Sequence, residues 1–287
     1  MSHNYAPEMT NSGLSPTQKV LARDEYKNKR ELNIAEERPL TIYIDSYEII
    51  TLMTLGTQPE LLSLGYVKNQ DLITELQEIK SIQVDWSVNA AVITTTNERD
   101  DWADRLGTRI VTTGCGQGTI FENVLEQLDS LKILPKKIKQ STIYALIKNL
   151  NAYNDVYRSA GAVHGCSLCK GSEPLIFIED VGRHNAVDAI AGKMWLENIS
   201  GEDKIFYTTG RLTSEMIIKV AQMKIPILLS RSGITYMGLE LAKQLNITLL
   251  SRVKSKHFLV YNGEEHLVYD SNLPPKNDIA NIVEKHN

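Results

Sequence analysis

Four apolar, β-rich segments between residues 175 and 257 each end in a polar cluster that contains an arginine. The segments are LIFIEDVGRHN, KIFYTTGRLTS, IPILLSRSGIT and ITLLSRVKSKH. Residues between them carry apolar side chains at the spacing of amphipathic helices of crossover length. Strands joined by single helices run parallel with right-handed crossovers, so this half is predicted to be an α/β domain with a largely parallel sheet.

One amphipathic helix is predicted after each of the first three segments. Thr213 or Ser214 and Thr235 are the expected N-caps, and Glu215 lies in a first turn, where the helix dipole favours a carboxylate. The apolar positions that define the three helices are Val187, Ile190 and Met194; Met216, Ile217, Val220 and Ala221; and Met237, Leu241 and Leu245.

The arginines of the four clusters are predicted to lie at one edge of the sheet, where open α/β folds bind ligands. One loop arginine is usually a solvated surface charge. Four at equivalent strand ends favour a ligand with several phosphates, because the planar guanidinium matches phosphate and nearby glycines allow close backbone approach. The candidate ligand contacts are Asp180, Arg183, His184, Gly210, Arg211, Ser230, Arg231 and Ser232.

Two further features could extend this site. His184 and Asp188 are at i and i+4 of a predicted helix, so they could hydrogen-bond on one face; a helix cap with an exposed salt bridge is the alternative. The last cluster is a basic turn that is either an ordinary solvated face or a phosphate clamp. Its residues are Arg252, Val253, Lys254, Ser255, Lys256 and His257.

Composition and charge exclude several classes of protein. The 287 residues are 42% hydrophobic, which is enough for a packed core. A net charge of −4 argues against a protein that binds nucleic acid through a broad basic face. The first residues contain no apolar signal region, and no segment reaches the roughly 18 apolar residues of a membrane helix. We therefore expect a cytoplasmic protein without membrane or nucleic-acid partners.

The chain is predicted to divide into three parts. Residues 1–35 are polar and charged and are expected to form a mobile arm or a loosely docked edge segment. Residues 36–135 predict an α+β unit with strands at LTIYID and 47–51, helices at 59–64 and 70–79, and a β-hairpin with its turn at Asn89. Residues 136–287 form the α/β domain, beginning with a helix near Ser141.

Cys115 lies in the glycine-rich sequence TTGCGQG, without a large apolar neighbour. A cysteine used for packing prefers an apolar setting, whereas a reactive thiol needs access and a lowered pKa. The sequence therefore favours a thiol carrier on a flexible loop, with a tight turn and an incidental thiol as the alternative. Three cysteines in a cytoplasmic chain argue against a disulfide framework.

Cys166 and Cys169 form a C-x-x-C motif two residues after His164. Three interpretations remain open: a redox pair, a zinc site, or a relay in which these thiols receive sulfur from Cys115 or protect it. Zinc would need a fourth ligand, and no second C-x-x-C exists. The pattern also lacks the catalytic glutamate of zinc deaminases.

Several of these sequences together resemble the FdhD/NarQ family. They are EDVGRHNAVD, GRLTSEMIIKVAQMKIPILLSRSG and AGAVHGCSL, and the resemblance spans about Arg38 to Gly263. It implies an accessory sulfurtransferase that carries sulfur as a cysteine persulfide from a cysteine desulfurase to the molybdenum bis(molybdopterin guanine dinucleotide) cofactor, before that cofactor enters formate dehydrogenase. It also implies a C-terminal domain with a cytidine deaminase-like fold.

The resemblance assigns roles to particular residues. Cys115 matches the first cysteine of the family's G-C-G-x-C-G loop and would carry the persulfide, whereas the second loop cysteine falls on Gly118. We hypothesise that Cys166 or Cys169 replaces that partner. Residues 252–257 match a segment of the family that contacts the cofactor, and a GDP-like guanine nucleotide is a further candidate ligand. The two guanine ends of the cofactor suggest a symmetric homodimer.

Two other functions remain open at this point. A chaperone could bind and escort the cofactor without transferring sulfur, in which case Cys115 would be incidental. A zinc-dependent hydrolase on the deaminase-like fold could instead use His164, Cys166 and Cys169. The resemblance is compatible both with a sulfurtransferase enzyme and with a sulfur carrier that is not itself an enzyme.

Overall fold

A computed structural model describes residues 5–97, 102, 131 and 133–272. The strands in these residues are β1 Glu8–Met9, β2 Thr17–Arg23, β3 Lys29–Ala35, β4 Arg38–Ile44, β5 Tyr47–Thr54, β6 Ile79–Asp85, β7 Ala90–Thr95, β8 Ile138–Lys139, β9 His164–Lys170, β10 Glu173–Asp180, β11 Ile205–Thr208, β12 Ile227–Ser230, β13 Thr248–Lys254, β14 His257–Asn262 and β15 Leu267–Val268. The helices are α1 Pro59–Asn69, α2 Gln140–Leu150, α3 Asp155–Ala160, α4 Arg183–Leu196, α5 Ser214–Gln222 and α6 Tyr236–Gln244.

The first sheet has the strand order β1-β6-β7-β4-β5. The predicted hairpin is confirmed as β6 and β7, and Asn89 adopts a left-handed φ of 54° just before β7. The predicted helix over 70–79 is wrong. Asp71 has a φ of 52°, which ends α1, and only a 3₁₀ turn forms at Leu76–Glu78. Leu72 and Ile73, two apolar residues of this segment, are buried in the core by an irregular stretch of backbone.

The segment before residue 36 contributes strands that the sequence analysis did not predict. Strands β2 and β3 form an antiparallel hairpin with mostly exposed side chains, and β3 contacts helix α3. Strand β1 pairs with β6 in parallel at the edge of the first sheet. Charged residues alternate with isolated apolar ones here, so composition alone suggested either a mobile arm or a loosely docked edge segment.

The second sheet confirms the α/β class and has the strand order β10-β9-β11-β12-β13-β14. Strands β11, β12 and β13 are parallel neighbours, whereas β9 lies antiparallel between β10 and β11, and β14 is an antiparallel edge. The four strands that end in arginine clusters therefore run in one direction. Sequence could not show that β9 inserts among them, because pairing between distant strands leaves no local signal.

Helices α4, α5 and α6 occur where the apolar spacing predicted them. Thr235 is the N-cap of α6, and its hydroxyl accepts a hydrogen bond from the Gly238 amide at 3.2 Å. Thr213 is the N-cap residue of α5. In the described part of the chain, no helix combines the length and the apolar character needed to cross a bilayer.

The buried apolar residues form two clusters, and the larger one extends across both sheets. It forms where α1, from the first unit, packs against α4, from the second. Gly65 and Gly192 bring the two helix backbones together: a Cβ at Gly65 would lie 1.7 Å from the carbonyl oxygen of Asp188. The two units are thus joined by tight packing, and the domain boundary near residue 135 stays a prediction.

Candidate functional site

The structure brings the four arginine clusters to the carboxyl ends of β10, β11, β12 and β13. Backbone and side-chain hydrogen bonds link neighbouring clusters. The Ser230 hydroxyl donates to the Gly210 carbonyl at 2.6 Å, the Arg231 amide to the Thr208 carbonyl at 3.0 Å, and the Arg252 amide to the Ser232 carbonyl at 3.1 Å. The loops after β11 and β12 and the bend in β13 therefore form one continuous surface.

Two glycines make room for arginine side chains on this surface. A Cβ at Gly210 would lie 2.8 Å from Cδ of Arg183, and one at Gly233 would lie 3.4 Å from Nη2 of Arg252. Arg183 thus passes beside the loop after β11, and the Arg252 guanidinium lies near the loop after β12. An arginine side chain that belongs to one strand end therefore lies beside the loop of another strand end.

The predicted contacts differ in their access to a ligand. Arg211, Arg231 and Arg252 are exposed, whereas Arg183 is only 6% exposed. Ser230 is buried, and its Oγ also accepts the Ser232 amide at 2.9 Å, so this serine shapes the loop. Three exposed guanidinium groups therefore remain available to an anion.

The basic turn is accessible with one exception. Val253 is 1% exposed and packs in the core with Leu250 and Leu267, so we correct its predicted ligand contact. Strand β13 is irregular between Ser251 and Lys254, where Arg252 has a left-handed φ of 54°, and this irregularity places Val253 on the same side of the sheet as Leu250. The exposed members are Arg252, Lys254, Ser255, Lys256 and His257.

Asp180 has a structural task in place of the predicted ligand contact. Its buried carboxylate accepts hydrogen bonds from the Thr54 hydroxyl, from the Leu55 and Gly182 amides, and from Asn185 Nδ2 at 2.8 Å. Burial raises the pKa of Asp180 above its ordinary value, and these donors oppose that shift. Because Thr54 is the last residue of β5 and Leu55 follows it, Asp180 fastens the first unit to the start of α4.

The predicted hydrogen bond between His184 and Asp188 is wrong. The Asp188 carboxylate instead accepts from Lys219 Nζ at 2.8 Å and from Asn69 Nδ2 at 2.7 Å, all in the interior. His184 Nδ1 lies 3.4 Å from the Glu215 carboxylate. Burial, with nearby Lys219, lowers the pKa of His184 to about 2, so this ring is neutral and adds no charge to the arginine surface.

We expect this neutral histidine to make the fold less stable in mild acid. The pKa of His184 lies near 2 when folded and at 6.5 when unfolded, so its contribution is complete above pH 6.5 and is lost as pH falls toward 2. At pH 5 the loss is about 2 kcal/mol. Urea unfolding at pH 7.5 and pH 5 should show a smaller decrease for His184→Gln than for the control His257→Gln, which alters an exposed ring. Equal decreases would contradict a neutral, buried His184.

Cys166 and Cys169 cannot act as a pair. They are three positions apart on β9, so they lie on opposite faces of the sheet and belong to different core clusters. Burial raises the pKa of both thiols to about 12. The redox-pair and zinc interpretations are therefore wrong, and the hypothesis that either thiol replaces the loop partner of Cys115 loses its support. Among the described residues no group of three His, Cys, Asp or Glu could hold a metal ion.

Cys115 lies outside the described residues, as does Gly118. His164, two residues before Cys166, is only partly buried at the start of β9. Burial lowers the pKa of His164, with further contributions from Arg183 and Arg211. The two arginines therefore add positive charge near His164, although burial is the larger cause of its lowered pKa.

Two residues beside the arginine surface, Tyr157 and Glu179, were not among the candidates predicted from the sequence. The Tyr157 ring centre lies 5.5 Å from the guanidinium carbon of Arg231, on short helix α3 beside the arginine surface. Glu179, the residue before Asp180, binds the first turn of that helix. No local pattern could reveal these contacts, because each joins residues that are distant in the chain.

The chain that forms this positively charged sheet edge also matches a family model by its sequence. The model for the FdhD/NarQ family matches residues 35–268. The chain belongs to the FdhD/NarQ family. This confirms the resemblance seen in the arginine-cluster sequences, and the match covers the second sheet and every strand of the first sheet except β1.

Individual members of the FdhD/NarQ family match over most of their length. The Sulfur carrier protein FdhD of Listeria monocytogenes serotype 4b (strain F2365) is 29% identical over 83% of this chain and 92% of its own. That of Bacillus subtilis (strain 168) is 28% identical over 84% and 92%. The crystal structure of a candidate formate dehydrogenase accessory protein from Desulfotalea psychrophila superposes with a TM-score of 0.68 and 26% identity, over 88% of this chain and 98% of the other.

Proposed function

We propose that this protein is a sulfur carrier that serves formate dehydrogenase. It would accept sulfur from a cysteine desulfurase as a persulfide on Cys115 and deliver it to a molybdenum bis(molybdopterin guanine dinucleotide) client before the client enters the enzyme. The observation that carries the proposal is the convergence of Arg211, Arg231 and Arg252 at one sheet edge in a member of this family. The same proposal includes a cytoplasmic location and a symmetric homodimer that meets both guanine ends.

The exposed arginines suit the phosphates of such a client. Each guanine dinucleotide half carries a diphosphate, and a planar guanidinium donates two parallel hydrogen bonds to phosphate oxygens. Lys254 and Lys256 add exposed positive charge on the turn after Arg252. A GDP-like nucleotide has the same diphosphate and base, so it is the simplest probe of this surface.

Cys115 is the thiol best suited to carry sulfur. Its thiolate would attack the outer sulfur of the desulfurase persulfide; an S–S bond forms on Cys115 and the desulfurase cysteine leaves as a thiolate. Cys166 and Cys169 are fully buried, and their raised pKa keeps them protonated at neutral pH. They are therefore unsuited to this exchange.

Sulfur loading tests this assignment directly. The protein is incubated with cysteine and a cysteine desulfurase, and its intact mass is measured without reductant. We expect the added sulfur to disappear in Cys115→Ala and to persist in the matched control Cys166→Ala/Cys169→Ala. Loading that survives Cys115→Ala would contradict the proposal.

Gly118 favours one alternative, a chaperone that escorts the cofactor without transferring sulfur. The family's loop has a second cysteine at this place, so the present loop has one thiol. A chaperone would support formate dehydrogenase activity in cells with Cys115→Ser as well as with the wild type. Loss of that activity in Cys115→Ser, together with sulfur loading of the wild type, would exclude it.

A further inference from the structure

An exposed aromatic ring and an exposed guanidinium are paired at the rim of the arginine surface. The Tyr157 side chain lies 5.5 Å, centre to guanidinium carbon, from Arg231, and Tyr157 remains 45% exposed. Arg231 follows β12 directly, and its amide is bound to Thr208 of the neighbouring strand end. The pair therefore lies beside the loops that would hold a diphosphate.

Helix α3, which carries Tyr157, is held in place by a buried acid. The two carboxylate oxygens of Glu179 accept the amides of Val156 and Tyr157, each at 2.9 Å, and Glu179 is only 9% exposed. A helix of six residues is too short to be stable alone. Burying a carboxylate is costly unless it is hydrogen-bonded. The two hydrogen bonds from α3 therefore offset the cost of burying the Glu179 carboxylate at the end of β10.

A second contact fixes the segment that leads into α3. The ring of Tyr153 packs on Phe177 of β10 with 5.7 Å between ring centres. Glu179 and Phe177 are two positions apart on this strand, so they share one face of the sheet. Strand β10 thereby positions α3 at two points, and Tyr157 is placed beside Arg231 by the sheet itself.

We propose that Tyr157 and Arg231 form a stacking platform for the purine base of a nucleotide whose diphosphate binds the arginine surface, with Glu179 as the residue that positions Tyr157. The proposal rests on the proposed function, since it needs the diphosphate site. Bases stack on tyrosine rings and on arginine planes, and a purine offers the larger area. A ligand that contains phosphates but no base would not stack on the Tyr157 ring.

Binding of two probes separates the base from the phosphates. GDP and inorganic pyrophosphate are titrated into the full chain by calorimetry, for the wild type, Tyr157→Ala, Tyr157→Phe and Glu179→Gln. We expect Tyr157→Ala to weaken GDP about tenfold and to change pyrophosphate less than about twofold, because stacking acts on the base alone. Tyr157→Phe keeps the ring and should bind GDP like the wild type.

Glu179→Gln tests the positioning role. Its amide keeps an acceptor but loses the charge, so we expect weaker GDP binding with unchanged pyrophosphate binding. The GDP-to-pyrophosphate affinity ratio is the decisive quantity, since general damage to the fold would lower both affinities. Tyr269→Ala removes an exposed tyrosine from outside the arginine loops and should leave the ratio unchanged.

Different failures have different meanings. If Tyr157→Ala binds GDP as tightly as the wild type, or weakens GDP and pyrophosphate equally, the stacking platform is wrong while the diphosphate site stands. If the wild type binds neither probe, the arginine surface is not a diphosphate site. That result overturns both the platform and the phosphate-binding part of the proposed function.

Discussion

Gly65→Ala is expected to destabilise the protein by at least about 3 kcal/mol, the upper end of the usual cost of overpacking. The new Cβ would lie 1.7 Å from the Asp188 carbonyl oxygen and 2.6 Å from the Gly192 nitrogen. Both are backbone atoms of α4 that cannot rotate away, so the helices must separate by more than an ångström. Urea unfolding followed by circular dichroism measures the loss.

A matched glycine replacement separates this contact from the general effect of adding a methyl group. Gly171→Ala places a Cβ in open space at a φ of 57°, so only backbone strain of about 1 kcal/mol is expected. If Gly65→Ala cost no more than this control, α1 and α4 would not be in contact in solution. The contact matters for the site because α4 begins at Arg183.

Lys219→Met is expected to cost about 3–5 kcal/mol, the usual effect of leaving one member of a buried ion pair without its partner. Lys219 and Asp188 are 1% and 0% exposed, and Nζ lies 2.8 Å from the carboxylate. Burial already raises the pKa of Asp188, and removing the ammonium would raise it further. The penalty is then present above the unfolded pKa of about 4 and shrinks as pH falls toward it.

The double variant Lys219→Met/Asp188→Leu shows whether charge is the cause. Replacing both partners with apolar groups is often neutral, so we expect most of the lost stability at pH 7 to return. Urea unfolding of the single and double variants gives the comparison. A double variant as unstable as Lys219→Met would mean that Lys219 acts through packing rather than through its charge.

The secondary structure around the site was predictable because its signals are local. Apolar spacing identifies α4, α5 and α6, and Thr235 marks the start of α6 by its own hydroxyl. The same reasoning failed for residues 70–79. There the apolar residues are buried by an irregular segment, and a left-handed Asp71 ends the preceding helix. The spacing of apolar residues alone cannot tell whether Leu72 and Ile73 are buried by a helix or by an irregular segment.

Local sequence patterns were enough to predict helices α4, α5 and α6, the arginine that follows each of the strands β10, β11 and β12, and the resemblance to a family, since each depends on residues close in the chain. Contacts between distant residues instead bury Cys166 and Cys169 on opposite faces, let Asp180 fasten two units, and place Tyr157 beside Arg231. These outcomes depend on burial and on partners far away in sequence, which spacing and composition do not contain.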